Sequence, residues 1–494
     1  MSVTCSQMQE IERKAFARGV SAAALMEEAG RGMACAVRQF CPKPGLLVMY
    51  LGKGNNAGDA LVAGRELQRD GWRLAARMSG EPGEMKPLPH TYWRALGTSV
   101  EVLAAVPAHR GPVVLFDGLL GIGANGPLTG VLRVLAAEMN HLRRTRHAVT
   151  VAMDIPSGLN GDTGEPAEDT VMADITITVA QVKAGLLADA ALDHVGRLVV
   201  VPLPELQAEA GSAGPEAITS TLLRPALPRR SFGMHKGKAG RVAIIAGGRG
   251  FLGAGVLCSL GALRGGAGLI TLVAKADAYE LLAMKLPPEI MVKQVKSYEE
   301  AMEGYDAIAM GPGLGFEHEQ EVVAVFRNAK QPVVVDADAL TLLARHGIPS
   351  AQGPRLFTPH PGEIQRLIKD RPEWQKLGRC ELAEAFAHAH PGSTVLFKGS
   401  RTVVATSGLP TRFNTTGHPG MSTGGIGDVL TGLAAALIGQ GISLHDAASL
   451  GSWLVGRAAE ISLRDGGRSA EALSATDIAG TLGQAFDGLR EECW

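Results

Sequence analysis

The stretch Asn414–Leu430 reads N-T-T-G-H-P-G-M-S-T-G-G-I-G-D-V-L and is more informative about function than any other part of the chain. Residues 422–427 are small or glycine apart from Ile426, and Asp428 follows where an apolar helical pattern begins. A glycine loop that opens a helix presents unpaired backbone N–H groups at the positive end of the helix dipole, which suits a phosphate group. Asp428 on the first turn would then reach a hydroxyl beside that phosphate. This pairing is the minimum for phosphoryl transfer to an alcohol, and the alternative is a glycine-rich turn capped by an aspartate.

The composition of the chain favours a multidomain α/β enzyme. Its 494 residues suggest two or three domains, and 46% hydrophobic residues with 63 glycines fit strands and helices joined by tight loops. Aromatic residues make up only 4%, and the net charge is −1 without a basic block. Nucleic acid and membrane surfaces are therefore not expected as partners.

The cysteine pattern and the N-terminus bear on the compartment. Six cysteines are scattered without a C-x-x-C pair, which predicts reduced thiols rather than disulfides or a zinc site. The first helix carries Glu10 and Glu12 and lacks the apolar core of a signal peptide. No apolar run reaches the roughly 18 residues that span a bilayer. These features predict a cytoplasmic protein.

The first half alternates helices and strands. A helix is predicted over Ala22–Phe40, a strand over Gly45–Tyr50, and then a glycine loop, Gly52–Asp59, leads into a helix over Ala60–Arg69. The further strands are Pro112–Phe116, Ala148–Ile155, Ile175–Val179 and Gly196–Val201. This alternation predicts a Rossmann-like, doubly wound parallel sheet. Pro202–Gly214 breaks the pattern and is interpreted as a linker.

The second half restarts at Ala217–Leu223 as a larger α/β domain. Its predicted strands are Arg241–Ala246, Leu269–Ala274, Ala307–Met310, Pro332–Asp336, Arg355–Thr358, Thr394–Lys398 and Thr402–Thr406. Glycine-rich or polar segments follow several strand ends, namely Gly247–Ala254, Gly311–Gly315, Asp336–Asp338, Thr358–Glu363 and Lys398–Ser400. Open α/β sheets bind ligands at the carboxyl ends of their strands, so these segments predict a nucleotide-sized site.

Taken in order, motifs of the second half resemble the ADP- or ATP-dependent NAD(P)H-hydrate dehydratases, a branch of the ribokinase-like fold. The matching pieces from about Ala217 onward are H-K-G at 235–237, A-L-R-G-G-A-G at 262–268, P-E at 288–289, G-P-G-L-G at 311–315, D-A-D-A-L at 336–340, T-P-H-P-G-E at 358–363, K-G-S-R-T at 398–402 and G-G-I-G-D at 424–428. The resemblance implies that a nucleotide contacts Lys398, Gly399, Ser400, Arg401, Thr402 and Gly427. It implies that the hydrated dinucleotide contacts Ala254, Gly313, His360 and Asp428. Asp428 would activate a ring hydroxyl, which is phosphorylated and then eliminated.

Three positions depart from that resemblance. Gly248 stands where many members have serine, His418 where asparagine is usual, and Ile426 where a threonine or serine is usual. Ile426 removes a hydroxyl contact to phosphate, which would weaken nucleotide affinity without affecting the Asp428 base. A ribokinase-like kinase for a vitamin or sugar alcohol is the main rival, because it would share the phosphate loop and the aspartate. His360 favours the dehydratase, and release of inorganic phosphate would decide between them.

Two loops of the first half carry candidate site residues. The sequence G-K-G-N-N-A-G-D at 52–59 is not a Walker loop, but Asn55, Asn56 and Asp59 supply oxygens that suit a polar ligand or a hard cation. Asp117 precedes G-I-G-A-N-G at 121–126, and Asp154 ends the next strand. This match to a dinucleotide fingerprint is weak, because Pro127 follows directly and the motif lies mid-domain.

With D-I-P-S-G-L-N-G-D-T-G at 154–164 and A-D-I-T-I-T-V-A-Q-V-K-A-G-L-L at 173–187, residues 1–205 resemble the NAD(P)H-hydrate epimerase domain. The resemblance implies Asp154 as the acid/base residue and Asn56, Asp117 and Ser157 as potassium ligands. It implies substrate contacts at Asn55, Asn56, Ala57, Gly58, Asp59, Gly121, Ile122, Gly123, Ala124, Asn125, Gly126, Pro127 and Asp154. Ala57 and Ala60 replace glycines that are common in the family, and Ala57 is strained if its loop needs a positive φ. The alternative is a degenerate domain that binds the dinucleotide without turnover.

Together the resemblances predict a bifunctional metabolite-repair enzyme. An epimerase domain, residues 1–212, would interconvert the R and S hydrates of NADH and NADPH. A dehydratase domain, residues 217–494, would dehydrate the S form with conversion of ADP to AMP and phosphate. The expected cofactors are K⁺ in the epimerase domain, ADP or ATP as phosphoryl donor, and Mg²⁺; a homo-oligomer is also expected. A second rival is a binding protein whose first half recognises dinucleotides or another protein. The preferences between ADP and ATP and between the two hydrates are left open.

Overall fold

The computed structural model describes residues 1–124, 126–206, 214–227 and 229–494. Within them the chain forms two compact units, Met1–Ala217 with Trp494, and Ile218–Cys493. The predicted contact residue Asn125 and residues 207–213 of the predicted linker lie outside the described residues.

The first unit is built on a parallel sheet. Its strands are β1 (Ser2–Val3), β2 (Leu46–Leu51), β3 (Arg73–Met78), β4 (Val100–Val102), β5 (Val113–Gly118), β6 (Val149–Met153), β7 (Ile175–Val179), β8 (Val182–Lys183) and β9 (Arg197–Val201). Its helices are α1 (Cys5–Ala17), α2 (Ala22–Phe40), α3 (Asn55–Gln68), α4 (Pro87–Leu96), α5 (Gly130–Arg146) and α6 (Leu192–Val195). Seven strands pair in parallel in the order β4-β3-β2-β5-β6-β7-β9. β1 and β8 form a separate two-stranded parallel sheet.

Strand β2 shows why the sheet is covered on both faces. All six of its residues are buried. Leu47, Met49 and Leu51 pack into one hydrophobic cluster with residues of α2 and α3, whereas Leu46, Val48 and Tyr50 pack into another with residues of α5. Successive side chains of a strand point to opposite faces, so a continuous apolar run requires helices on both sides. The predicted doubly wound α/β sheet is confirmed.

One predicted boundary in this unit is wrong. Helix α3 begins at Asn55, not at Ala60, and Gly54 precedes it in an extended conformation as the N-cap. Asn55, Asn56, Ala57, Gly58 and Asp59 therefore lie on the first turns of a helix instead of in a loop. Ala57 takes helical geometry and is fully buried, so the methyl group at this position causes no backbone strain.

The second unit is also α/β. Its strands are β10 (Glu216–Ile218), β11 (Arg241–Ile245), β12 (Leu269–Ala274), β13 (Met291–Gln294), β14 (Ala307–Met310), β15 (Val333–Val335), β16 (Arg355–Phe357), β17 (Ser393–Phe397), β18 (Val403–Thr406) and β19 (Arg412–Asn414). Its helices are α7 (Ser220–Leu223), α8 (Leu252–Arg264), α9 (Ala276–Lys285), α10 (Glu319–Asn328), α11 (Ala337–His346), α12 (Pro361–Leu367), α13 (Arg379–Ala389), α14 (Ile426–Gly439), α15 (Leu444–Gly466) and α16 (Ala475–Arg490). The strand order is β10-β19-β18-β17-β16-β15-β14-β11-β12-β13.

The pairing is parallel from β13 to β17 and antiparallel where β18 joins β17 and β19 joins β18. Helix α14, which follows the glycine run, is almost wholly buried and packs against α8. A Cβ at Gly432 would collide with the carbonyl oxygen of Cys258, so only glycine permits this close approach of the two helices. The α/β class predicted for this half is confirmed.

Candidate active sites

The strand order of the first unit reverses at β2 and β5, which lie side by side. Crevices at such switch points are where open α/β sheets bind ligands. Two hydrogen bonds join the segments that leave these strands. Gly52 N donates to Gly118 O at 3.0 Å, and Asn56 Nδ2 donates to Leu120 O at 2.7 Å. The predicted contact segments that begin at 55 and at 121 are therefore neighbours.

The three predicted potassium ligands lie around one loop. Asp117 is the penultimate residue of β5, is fully buried, and accepts hydrogen bonds from Ser157 N at 2.7 Å and Ser157 Oγ at 2.6 Å. Leu120 N donates to Ser157 Oγ at 3.0 Å, while Leu120 O accepts from Asn56. Burial raises the pKa of Asp117 to about 6, and the bonds from Ser157 oppose that rise. Amide, carboxylate and hydroxyl groups thus converge here, a donor set that suits a hard monovalent cation.

The predicted acid/base residue, Asp154, follows β6 with φ of 67°. Its Oδ1 accepts from Thr178 Oγ1 at 2.8 Å and from Val179 N at 3.2 Å, both on or at the end of β7. The same oxygen makes a short ion pair with the ammonium of Lys183, whose side chain is fully buried. A non-glycine residue held at positive φ by several contacts is typical of a functional site.

Two further acids face this ion pair. Burial, then the charges of Asp154 and Glu12, raises the pKa of Asp59 well above its usual value. Burial and the charge of Asp154 also raise the pKa of Glu12, which lies on α1 between the buried residues Met8 and Ala15. The sequence reasoning did not single out Lys183 or Glu12 for this site. Lys183 lies within residues 173–187, a mostly apolar segment, and a lysine in such a segment is a feature of the sequence that could have indicated a buried charged residue.

In the second unit the order reverses between β11 and β14. The glycine segments after these strands are joined by two backbone bonds, Gly247 N to Pro312 O at 2.9 Å and Gly248 N to Gly313 O at 2.7 Å. Gly313 has φ of 54°, and a Cβ there would lie 2.8 Å from the Cβ of Ala254. The predicted substrate residues Ala254 and Gly313 are therefore adjacent.

The phosphate-loop helix meets a lysine and an aspartate. Asp336, which caps α11, accepts from Lys398 Nζ at 2.5 Å and from Thr431 Oγ1 of α14 at 2.7 Å. A Cβ at Gly427 would lie 3.3 Å from Lys398 Nζ, so the predicted nucleotide residues Lys398 and Gly427 are neighbours. Burial, and next the charge of Asp336, raises the pKa of Asp428 to about 7, while Lys398 opposes the rise. A carboxyl group that ionises near neutral pH is suited to general-base catalysis.

His360 lies on the same edge. Lys398 N donates to Pro359 O at 2.8 Å, and Lys398 Nζ lies 3.8 Å from Glu363 Oε2. His360 caps α12, because its Nδ1 accepts from Gly362 N at 3.0 Å. Burial and the nearby Lys398 lower the pKa of His360, so its neutral form is favoured. Ser400, Arg401 and Thr402 form the turn between β17 and β18, with Arg401 at φ of 52°.

Asp336, Glu363 and Thr431 belong to this cluster although the sequence reasoning assigned them no role. Both acids stood in the quoted motifs D-A-D-A-L and T-P-H-P-G-E. Their contacts with Lys398 depend on which strand ends lie together, and motif order alone does not provide that.

The structure explains the three departures. A Cβ at Gly248 would lie 2.6 Å from Leu314 O, so this chain has no room for a side chain there. His418 accepts a hydrogen bond from Gly420 N at 3.1 Å through Nδ1, the capping role that an asparagine side chain also fills. Ile426 is 8% exposed and packs in the main hydrophobic cluster, so its side chain serves the core.

Two protein-family models match this chain, one within each of its two units. Residues 242–481 match the family model described as NAD(P)H-hydrate dehydratase, and residues 22–185 match the YjeF-related protein N-terminus. The bifunctional NAD(P)H-hydrate repair enzyme Nnr of Moorella thermoacetica is 32% identical, over 99% of this chain and 97% of its own length. The chain belongs to the family of bifunctional NAD(P)H-hydrate repair enzymes. The Vibrio cholerae enzyme is also 32% identical to this repair enzyme, over 96% of each chain.

Among solved structures, the ADP/ATP-dependent NAD(P)H-hydrate dehydratase of Bacillus subtilis, co-crystallised with ATP and Mg²⁺, is 28% identical. It aligns with a TM-score of 0.48 over 56% of the repair enzyme and 100% of its own chain. The two family models and the full-length Moorella thermoacetica relative show that the repair enzyme has the predicted isomerase and lyase activities, an NAD(P)H-hydrate epimerase and an NAD(P)H-hydrate dehydratase. No helix in the described part of the chain is long and apolar enough to cross a membrane.

Proposed function

We propose that the second unit dehydrates the S hydrate by phosphoryl transfer from ADP, with ATP as the alternative donor. Asp428 takes the proton of the ring hydroxyl, whose oxygen attacks the terminal phosphorus as the bond to AMP breaks. The phosphate ester then loses inorganic phosphate together with a proton from the neighbouring ring carbon, which leaves the double bond of the dihydronicotinamide. Hydroxide is a poor leaving group and phosphate a good one, so the nucleotide makes the elimination possible.

The observation that carries this proposal is the position of Asp428 beside Gly427 and Lys398. Gly427 brings the backbone of the helix N-terminus close to the Lys398 ammonium, so N–H dipoles and a positive charge meet where a transferred phosphate would lie. The described residues contain no group of three or more His, Cys, Asp or Glu that could hold a metal. Mg²⁺ fits this site as an ion that arrives on the nucleotide phosphates, and it would supply charge neutralisation there.

We propose that the first unit epimerises the R and S hydrates with Asp154 as its acid/base residue. The substrate would contact the start of α3 and the segment 121–127, which lie together at the switch point. Asn56, Asp117 and Ser157 would hold K⁺, an ion that would fix the geometry of the two loops. Asp117 supports this assignment, because it is buried without an ion-pair partner among the described residues.

The two activities serve one substrate pool. Both act on NADH-hydrate and NADPH-hydrate, and the epimerase converts the form that the dehydratase does not use. We place the enzyme in the cytoplasm, in accord with the free cysteines of the described residues. The expected homo-oligomer stays a prediction.

The proposal is tested by incubating the enzyme with mixed hydrates and either ADP or ATP. Recovery of dihydronicotinamide absorbance with release of equimolar inorganic phosphate is expected. A stable phosphorylated product with no absorbance recovery would support the rival kinase. The assignment of the first unit would be contradicted if the remaining R hydrate disappeared no faster than it does by uncatalysed epimerisation.

A further inference from the structure

One buried ammonium in the first unit, that of Lys183, contacts Asp154 directly and acts through its charge on Asp59 and Glu12. We propose that Lys183 is a positioning residue that holds the carboxylate of Asp154 through Oδ1 and leaves the other oxygen, Oδ2, to act on the substrate. This inference rests on the proposed epimerase role of Asp154.

The contacts of Lys183 are saturated. Its side chain is fully buried, and Nζ lies against Asp154 Oδ1, at 3.1 Å from Thr178 Oγ1, and at 3.2 Å from Val179 O. An ammonium has three N–H donors, and each has an acceptor here. No N–H is left over for Asp59 or Glu12, so Asp154 alone receives the stabilisation of direct contact.

The two oxygens of Asp154 are treated differently. Oδ1 accepts from Lys183, Thr178 and Val179, whereas Oδ2 accepts no hydrogen bond from any described residue. Three donors on one oxygen fix the plane of the carboxylate and hold its charge. Oδ2 is therefore the oxygen available for proton transfer.

The surroundings separate the three acids into two roles. Asp59 reaches the site from α3 and Glu12 from α1, and Cys5 also lies near, at the start of α1. Burial is the largest cause of the raised pKa of both Asp59 and Glu12, and the negative charge of Asp154 adds to it. Asp154 is therefore the one of the three acids that an ammonium contacts directly, whereas burial favours the neutral forms of Asp59 and Glu12.

Strand pairing positions the lysine itself. Val182 and Lys183 pair in parallel with Ser2 and Val3, and helix α1 begins two residues later at Cys5. Cys5 N donates to Asp162 Oδ1 at 2.6 Å, which ties α1 to the loop beyond Asp154. The strand that carries Lys183 and the helix that carries Glu12 are therefore held together next to the segment that follows Asp154.

The test is the pH dependence of epimerisation. Lys183→Met removes the charge but keeps the length of the side chain. We expect kcat to fall about 10²-fold, within the range for a misplaced acid/base group, with little change in KM. The acid limb of the pH–rate profile should move to higher pH, because the carboxylate loses its ammonium partner. Lys183→Arg, which keeps the charge, should leave the limb in place.

Two matched controls separate positioning from packing. Thr178→Val removes a neutral donor to the same oxygen, so it should move the acid limb in the same direction as Lys183→Met but by less. Glu12→Gln changes no charge if Glu12 is protonated, so the limb should again stay in place. Dehydratase activity on purified S hydrate, measured on each variant, reports whether the second unit is intact, and near-UV circular dichroism reports on the first.

The inference would be overturned if the Lys183→Met enzyme kept the acid limb of the wild-type pH–rate profile. It would also be overturned if the acid limb of the Glu12→Gln enzyme moved to lower pH, because that shift would show that Glu12 is charged. If the Lys183→Met enzyme does not fold, the pH–rate profiles of the Glu12→Gln and Lys183→Arg enzymes test the inference without it. Absence of epimerisation in the unsubstituted enzyme is a different result and would instead reject the proposed function.

Discussion

Lys398 Nζ lies 2.5 Å from Asp336 Oδ1, and the other oxygen of Asp336 accepts a hydrogen bond from Thr431 on the phosphate-loop helix. One carboxylate therefore ties the end of β17 to the helix that carries Asp428. Because Asp336 is 1% exposed, its charge is little screened and acts on both groups. It anchors the lysine and at the same time makes ionisation of Asp428 less favourable.

The dehydratase should lose activity on the acid side of neutrality. Asp428 must be deprotonated to act as a base, and its raised pKa of about 7 places the loss at and below that pH. Asp336→Asn removes the repulsion that contributes to this rise, so the inflection should move to lower pH. We expect a smaller shift in the same direction for Asp338→Asn, because its charge acts more weakly on Asp428. The measurement is the initial rate of dehydration as a function of pH with saturating ADP. If the pH of the inflection is the same in both variants as in the wild type, Asp428 is not the base.

The two activities should be separable by one residue each. Asp154→Asn and Asp428→Asn keep shape but cannot accept a proton, and general-base losses are commonly on the order of 10²–10⁴ in rate. Given mixed hydrates and ADP, the Asp154 variant should restore the S fraction quickly and then continue at the uncatalysed epimerisation rate. The Asp428 variant should equilibrate R and S while restoring almost no dihydronicotinamide. A wild-type time course from either variant removes that residue from its assigned role.

Epimerisation should depend on potassium. Asn56, Asp117 and Ser157 offer oxygen donors from separate segments, which suits a weakly held monovalent ion. Replacing potassium by a bulky organic cation at constant ionic strength should lower the epimerase rate and leave dehydration of purified S hydrate unchanged. An epimerase rate that is the same in both salts would exclude the ion from the site.

Gly248→Ala should destabilise the second unit. Its Cβ would lie 2.6 Å from Leu314 O, and overpacking of this kind costs about 1–3 kcal/mol in the free energy of unfolding. Gly253→Ala is the matched control, because Gly253 lies on α8 with open space around its Cβ position. Replacing a glycine by alanine where the alanine can adopt the native backbone stabilises the folded protein by roughly 0.4–1 kcal/mol. Thermal unfolding should therefore move in opposite directions for the two variants.

The sequence predicted the strands of both sheets well wherever buried apolar runs were continuous. Ile175–Val179, Leu269–Ala274 and Ala307–Met310 agree to the residue with the structure. The start of α3 was misplaced, because the asparagines and glycine at 55–58 favour loops by local preference. Here the preceding Gly54 caps the helix, and burial of residues 56–58 outweighs that preference.

Site residues were found where a polar group ended a strand and were missed where tertiary contacts give them their role. Asp117 and Asp154 belong to the first kind. Lys183 and Asp336 belong to the second kind, because each acts through an ion pair with a residue that is distant in sequence, Asp154 for Lys183 and Lys398 for Asp336. The pairing of β8 with β1 places Lys183, and two-residue strands leave almost no trace in hydrophobic periodicity.

The position of Asn56 and Asp59 on one helix has a consequence for how the first unit can change over evolution. The two residues are three apart, so they share a face of α3 and keep a fixed separation. An inserted or deleted residue between them would rotate one away from the other by about 100°. The residues between them are restricted in size, because Ala57 is fully buried and a Cβ at Gly58 would collide with Met26 Sδ. In this segment, the packing of α3 therefore constrains both the spacing of the polar residues and the size of the residues between them.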